Sequence, residues 1–598
     1  MTRSVNSARR GLWTATLLVG AAPSVVVAQD VNNSRVHSAA TRGAAPELVG
    51  PSMSSASPAA ASISIEGGAR RMLVGATVPH TARVRDAAGV ERRDVEVRWV
   101  SSNPTVASVN QFGVLTAVRP GVVIVRAIAG GLSAERNYTV EANPVKSLTL
   151  SITADRARTG DVVEVTATAF DANGYKVANV PFLYTFTAAV EDTAVGQLAP
   201  AELDQKGRFV AQKAGDYQII AVAPGLVAHR TVRVANRSVA ETARLVGRVS
   251  LGAPTSDVFA WRSRDGRDFA LACTGGPRGQ LVSFEMADGI LRPLDTATVD
   301  AKSVTDCVVS EDGAIAVVAR EGANGRASLA VIDVSDPRTM KPLATFDEGL
   351  GAISGIALAK RHVYAVSDSR RLDVVSVEDP TRPRRVGSVD LADGAGAPSA
   401  GATDVSVSDG VAYVALGRRG VALVDVGAGK AGGSPSKPAR IGGFHAAFAS
   451  THAAYGYRSR TGKWYVVTSE DLGLPSESSR PATPASQSQP GFARIIDFSD
   501  PSRPEEVARY EVPEAGVQDL WLEGERLYVA AQQGGLRVVD ISADLKGNLY
   551  HQGREVARFA PADSAGAPNV VAVQPHGGNV LVADRNSGLW MVRLGTQP

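Results

Sequence analysis

The chain is poor in sulfur, in aromatic rings and in net charge. Of 598 residues only 2 are cysteine and 5% aromatic, and 63 Lys and Arg stand against 60 Asp and Glu. Two cysteines exclude a disulfide-dense miniature scaffold and any site built from several thiolates. Near-balanced charge takes away the main support for a charge-driven partner such as nucleic acid. The apolar run from Leu12 to Val27 is broken by Gly20 and Pro23; it is shorter than the roughly 20 residues a membrane-spanning helix needs. Enzyme signatures are missing as well. There is no H-E-x-x-H and no G-x-x-x-x-G-K-[ST], the zinc-protease and phosphate-loop patterns. Ala397-Pro398-Ser399-Ala400-Gly401 approaches G-x-S-x-G, but it sits in a Gly/Ala linker without the strand–turn–helix context that exposes a nucleophile. His37, His80, His229, His362, His445, His452, His551 and His576 form no ligand-spaced pair.

The excess of charge has one source. Residues 1–28 hold Arg3, Arg9 and Arg10 and no acid, so without them 60 basic residues face 60 acidic ones. The three arginines precede the apolar run, and Val26-Val27-Ala28 before Gln29 puts small residues where a signal peptidase reads. Residues 1–28 are therefore expected to be a signal peptide. No cysteine follows the run, which excludes lipid attachment there. The expectation is an exported protein, periplasmic, cell-surface or secreted, without a transmembrane segment in the mature chain. Its expected partners are a cell-envelope or extracellular protein or carbohydrate, and no nucleic acid. In an oxidising compartment Cys273 and Cys307 either pair or remain two buried thiols.

Residues 29–62 are rich in Ala, Ser and Pro without periodicity and read as a flexible linker. From Ile63 the pattern becomes short alternating strands with turns every 8–12 residues, as in a β-sandwich. Within 63–143 stand Trp99-Val100-Ser101-Ser102-Asn103-Pro104, Val106-Ala107-Ser108-Val109, Gly113, Ala117 and Gly121. Trp99 is expected to fill the space between sheets, with Asn103-Pro104 and Phe112-Gly113 in turns. This segment resembles the bacterial Ig-like group 2 domain, which implies a surface or spacer module and not a catalyst. Residues 144–238 are similar to Ig-like domains in outline, with alternation over 160–165 and 215–222 and a turn at Asp171-Ala172-Asn173-Gly174.

Residues 240–598 repeat. The copies are QLVSFEM from Gln280, SLAVIDV from Ser328, RLDVVSV from Arg371, GVALVDV from Gly420, FARIIDF from Phe492, GLRVVDI from Gly535 and GLWMVRL from Gly588. The intervals are 48, 43, 49, 72, 43 and 53 residues, and a Ser/Pro-rich insert at 472–490 explains the longest. Each unit supplies four strand candidates, the period and content of a propeller blade. The seventh unit lacks its outermost strand, and Ala243 to Val249 carries that strand's pattern ahead of the first unit. The fold expected is all-β: two Ig-like β-sandwiches, then a seven-bladed β-propeller closed by an N-terminal strand. The repeats, with Asp-x-Ser-Asp-Pro at Asp333 to Pro337 and Asp497 to Pro501, resemble the LVIVD repeat of bacterial and archaeal surface proteins. That resemblance implies a propeller in an extracytoplasmic setting and says little of activity. The turn aspartates are expected to cap turns through backbone N–H groups and not to bind calcium.

Aligning the units places Asp257, Asp306, Gly355, Asp404, His452, Asp519 and Asn569 at the starts of the innermost strands, around one mouth of the channel. Asp257, Asp306, Asp404, Asp519 and Asn569 present hard oxygen ligands that suit a divalent cation such as Ca or Mg; equally, each acid can tie its strand to the adjacent blade. No other cofactor is indicated. In the insert-bearing unit, His452, Glu470 and Asp471 are expected to cluster at the rim as a ligand site. The first functional expectation is a non-catalytic binding or scaffold protein, adhesion included, whose Ig-like modules present the propeller. The alternative is a metal-assisted hydrolase or lactonase working at the channel mouth.

Overall fold

The computed structural model describes residues 60–67, 70–86, 95–190, 199–275, 279–287, 289–322, 325–391, 401–445, 449–472, 490–562 and 566–596. The expected signal peptide, nearly all of the linker and most of the insert lie outside them. Every element among the described residues is a strand.

The first sandwich pairs Ala60–Gly67, Thr77–Asp86, Val114–Ala117 and Ala107–Val109 in one sheet, and Arg71–Leu73, Leu132–Glu141, Gly121–Ala129 and Arg98–Ser101 in the other. It begins at Ala60, slightly before the expected boundary. Gly121–Ala129 shows why the strands form, with Val123, Val125 and Ala127 buried on one face and Val122 and Arg126 exposed on the other. Trp99 packs half-buried against this core. His80 is buried beside it; its ring is held by the Gly113 carbonyl at 2.9 Å and by the Tyr138 hydroxyl. Burial lowers the His80 pKa, so this histidine serves as a neutral core residue.

The second sandwich also has two four-stranded sheets, around Phe209, Tyr217 and Phe186. Its strand Val162–Phe170 runs the length of the domain. Ala169, near the far end, joins a small apolar cluster with Leu73 of the first sandwich, while Asp161, just before the near end, meets the propeller through Arg237.

Seven further sheets follow. Six follow in chain order, five of them four-stranded and the fifth carrying an added strand, Gly547–Asn548, from the unit after it; the seventh is built from Glu241–Val249, Gly588–Thr596, Asn579–Asp584 and Val570–His576. Each innermost strand lies against the next, and the last against the first. Seven apolar cores fill the spaces between neighbouring sheets, including one joining the seventh sheet to the first. The sheets therefore form a closed ring of blades, numbered here one to seven from Thr255–Arg262. Middle strands are packed on both faces and so read as continuous apolar runs: every residue of Val411–Ala415 and Val421–Asp425 is buried. Outermost strands such as Arg384–Asp390 face solvent in part. Asp333, Asp497 and Asp500 accept the N–H groups of Ser335, Ser499 and Ser502 at 2.8–3.0 Å, capping the turns between third and fourth strands.

Candidate functional site

The innermost strands start on one face of the ring, at the channel mouth. Most begin with a bulge, an extra residue that bends the strand before the regular ladder starts. Ser256, Thr305 and Ser354 are the bulged residues in blades one to three, and Asp257, Asp306 and Gly355 follow them. In blade five the bulged residue is His452 and Ala453 follows; in blade seven it is Val571, followed by Ala572. His452 thus stands at the hydroxyl position and not at the acid position, and the blade-seven counterpart of the acids is Ala572. Asn569 lies before the strand, its N–H held by Asp584 at 2.5 Å, and is absent from the cavity wall. The alignment read from the sequence is corrected by one residue in blade five and by three in blade seven.

Asp257, Asp306, Asp404 and Asp519 all border a cavity of about 220 Å³ at the mouth, with His452, Tyr455, Phe259 and Trp521. Three acids reach sideways to the next blade: Asp257 accepts Cys307 N–H at 3.4 Å, Asp306 accepts Ile356 N–H at 2.7 Å, and Asp519 accepts Val573 N–H. Asp404 instead lies over Gly355, where a Cβ would come within 2.5 Å of its Oδ1. The one missing acid in the first four blades is therefore missing because its neighbour fills the space. Among the described residues no three His, Cys, Asp or Glu groups converge closely enough to hold a metal ion.

These carboxyls are half-buried in the cavity wall, and the protein packed around them disfavours their charged forms. Desolvation and then the repulsion of neighbouring acids push Asp257 and Asp404 well above the ordinary carboxylate range. Desolvation also raises Asp306 and lifts Asp519 to about 7. Tyr455 donates its O–H to Asp519 Oδ1 at 3.2 Å, and burial followed by the surrounding acids raises its own pKa well above the ordinary tyrosine value. The wall thus sets carboxyls of raised pKa beside aromatic faces. Phe259 and Trp521 meet edge to face at 6.2 Å. With Tyr455 they occupy the position two residues after the acid, a second ring of residues that sequence reasoning missed. The signal was available, because period-two alternation sends residue i+2 into the same channel.

His452 Nε2 lies 2.8 Å from Asp471 Oδ2, both partly exposed at the rim. Glu470 does not join them, correcting the expected trio. It is fully buried on the other face of Trp464–Asp471, paired with Arg494 at 2.7 Å, and Arg494 also pairs with Glu506. Adjacent strand residues face opposite ways, so Glu470 and Asp471 serve different surroundings. Cys273 and Cys307 are joined by a disulfide between blades one and two, with Cα atoms 6.6 Å apart, directly behind Asp257.

The opposite face of the ring carries the sandwiches. In blade six the third strand, Gly535–Asp540, ends on that face, and residues 541–554 form a long connection before Glu555–Phe559. Arg237, which follows the second sandwich, pairs with Asp540 at 2.8 Å and with Asp161. Arg554, fully buried, donates to the Gly160 carbonyl at 2.6 Å. Mouth and stalk therefore occupy opposite faces.

Comparison with known proteins agrees with this architecture. Residues 59–140 match the bacterial Ig-like domain (group 2), and residues 400–444, 493–512 and 516–545 match the LVIVD repeat. No curated protein matches the chain. Among solved structures, the chain is similar to Raptor of Chaetomium thermophilum, at 9% identity and a TM-score of 0.44 over 59% of this chain. The chain spans 29% of that protein's length. The protein is thus all-β and carries a bacterial Ig-like module and LVIVD repeats. Among the described residues no helix is long and apolar enough to cross a membrane.

Proposed function

We propose that the chain is an exported, non-catalytic binding or scaffold protein of the cell surface or periplasm, whose Ig-like modules present the propeller to a protein or carbohydrate. The observation that carries this reading is the separation of stalk and mouth: the second sandwich docks on one face, and the acid- and aromatic-lined cavity opens on the other. A column leading from the N-terminal side would direct the mouth outward. A cavity of about 220 Å³ is smaller than the roughly 300–1,000 Å³ of drug-sized ligand sites. It suits one ring-sized group, such as a terminal sugar or a single side chain, stacked on Trp521 and hydrogen-bonded by the carboxyls. The test is binding of the mature chain to arrays of envelope polysaccharides and peptides, with His452→Ala and Trp521→Ala as mouth variants. About a tenfold loss of affinity in those variants, or 1.4 kcal/mol, is expected. Binding that ignores both substitutions would overturn the reading.

A second reading, a metal-assisted hydrolase or lactonase, is favoured by four carboxyls bordering one cavity. Metal content and ester and lactone hydrolysis test it. Stoichiometric Ca or Mg lost in Asp306→Ala and Asp404→Ala would support it, and metal-free protein without turnover would sink it.

A further inference from the structure

The covalent path between the sandwiches and the propeller is short and enters the ring at a sensitive place. The last strand of the second sandwich, Leu226–Ala235, is followed after residues 236–240 by Glu241–Val249. That strand closes the ring, and its ladder partner in the same blade is Gly588–Thr596. A pull on the sandwiches transmitted along the backbone would arrive at Glu241, the end of the strand, and unzip the ladder one bond at a time.

The structure provides a second path. Arg237 N–H and Nε donate to Oγ1 and the carbonyl of Thr159, each at 3.0 Å, fastening the linker to the sandwich. The same arginine pairs with Asp540 of blade six at 2.8 Å. Thr159 Oγ1 donates to the Gln552 carbonyl at 2.8 Å, and Arg554 spans from the Gly160 carbonyl to the carbonyls of Asp540 and Ser542. Lys206–Glu505 at 2.7 Å and Lys546–Asp204 at 3.3 Å flank this core. Glu241 is itself paired with Arg526 of blade six. Gly160 is needed here: its φ is +82°, and a Cβ would come within 2.7 Å of Gln552 and 2.8 Å of Arg554. Arg237 and Arg554 are almost wholly buried, where hydrogen bonds to charged groups are stronger than in water.

We propose that this joint is a clamp that passes tension from the sandwiches into blades five and six and keeps it off the strand that closes the ring. The clamp bonds are stressed together, whereas the ladder at Glu241 would be stressed in sequence. Blade six is specialised for the purpose. Its connection of residues 541–554 replaces the seven-residue turn of blades two, three and five. The long connection of blade four, by contrast, folds back on its own Asp425, which accepts four backbone N–H groups. The inference concerns the joint alone and stands whatever the mouth binds.

The test is an optical-trap experiment on the mature chain, with one handle at its N-terminus and the other at Arg418→Cys, an exposed turn residue of blade four. The clamp is weakened by Arg554→Lys and, more gently, by the near-isosteric Thr159→Val, which keeps the test open should the first variant fail to fold. The wild type should hold until joint and closing strand yield in one step. The variants should show an earlier step, at about half that force or less, lengthening the tether by at most roughly 30 Å, the full contour of the nine-residue closing strand at about 3.3–3.6 Å per residue. Without load, amide exchange over 241–249 should stay within about twofold of wild type, a result that a merely structural role would not give. Equal first-step forces in wild type and variants, or exchange already accelerated without load, would overturn the proposal.

Discussion

Asp257 and Asp306, on the innermost strands of neighbouring blades, border the same cavity, and burial together with the charge of Asp306 raises the pKa of Asp257. With Asp404 and Asp519 they make the mouth a store of protons that the unfolded chain would release. An unfolded aspartate ionises near pH 4, whereas Asp519 in the folded protein does so at about 7. The folded state then binds more protons between these values. The stability this contributes is complete below about pH 4 and is lost as pH rises through about 7. The midpoint of thermal unfolding should therefore be higher at pH 5 than at pH 8. Asp519→Asn, a permanent mimic of the protonated form, should flatten that slope and raise the pH 8 midpoint. Calorimetry across this range checks both.

The disulfide closes a segment of 34 residues between the first two blades. Loop entropy assigns such a link about 3–4 kcal/mol. Cys273→Ala with Cys307→Ala, or reduction under mild denaturant, should lower stability by about that amount in chemical unfolding. The intact protein should show no titratable thiol when denatured without reductant.

Glu470 and Arg494 are a buried pair inside blade five. Glu470→Gln leaves Arg494 with Glu506 as its one ionised partner and should cost about 1–3 kcal/mol. The double variant Glu470→Leu with Arg494→Met should recover most of that loss. His452→Ala, which touches only the rim, should leave stability nearly unchanged. Urea unfolding of the four proteins separates these outcomes.

Glu241–Val249 supplies the outermost strand of blade seven. A chain beginning after Val249 should expose the edge of Gly588–Thr596, an open row of backbone donors and acceptors. It should associate into dimers or larger species, read by light scattering, and a peptide spanning 239–250 added in excess should restore the monomer.

The blades were legible because the repeat intervals, the four-strand content and the missing outermost strand of the seventh unit are all linear features. The mouth was legible only in part. Thr451-His452 looks like Thr403-Asp404 along the sequence, yet the bulge moves His452 back one place and gives its apparent position to Ala453. Nothing local distinguishes the two, because a bulge is set by pairing with the neighbouring strand. Glu470 was misplaced for a simpler reason, since alternation alone puts it and Asp471 on opposite faces. The joint joins residues such as Gly160 and Arg554 that are 394 positions apart. Its one linear trace is the length of 541–554, which the repeat map contains but which does not reveal a partner.

Thr242 and Gly595, bonded across the last seam of the ring, are 353 residues apart. During synthesis the first of these emerges long before the second. Until then every earlier blade has formed beside an unfinished neighbour, and the waiting strand has nothing to pair with. The ring is sealed only where its first strand meets its last, so a product truncated in the last blade would stay open.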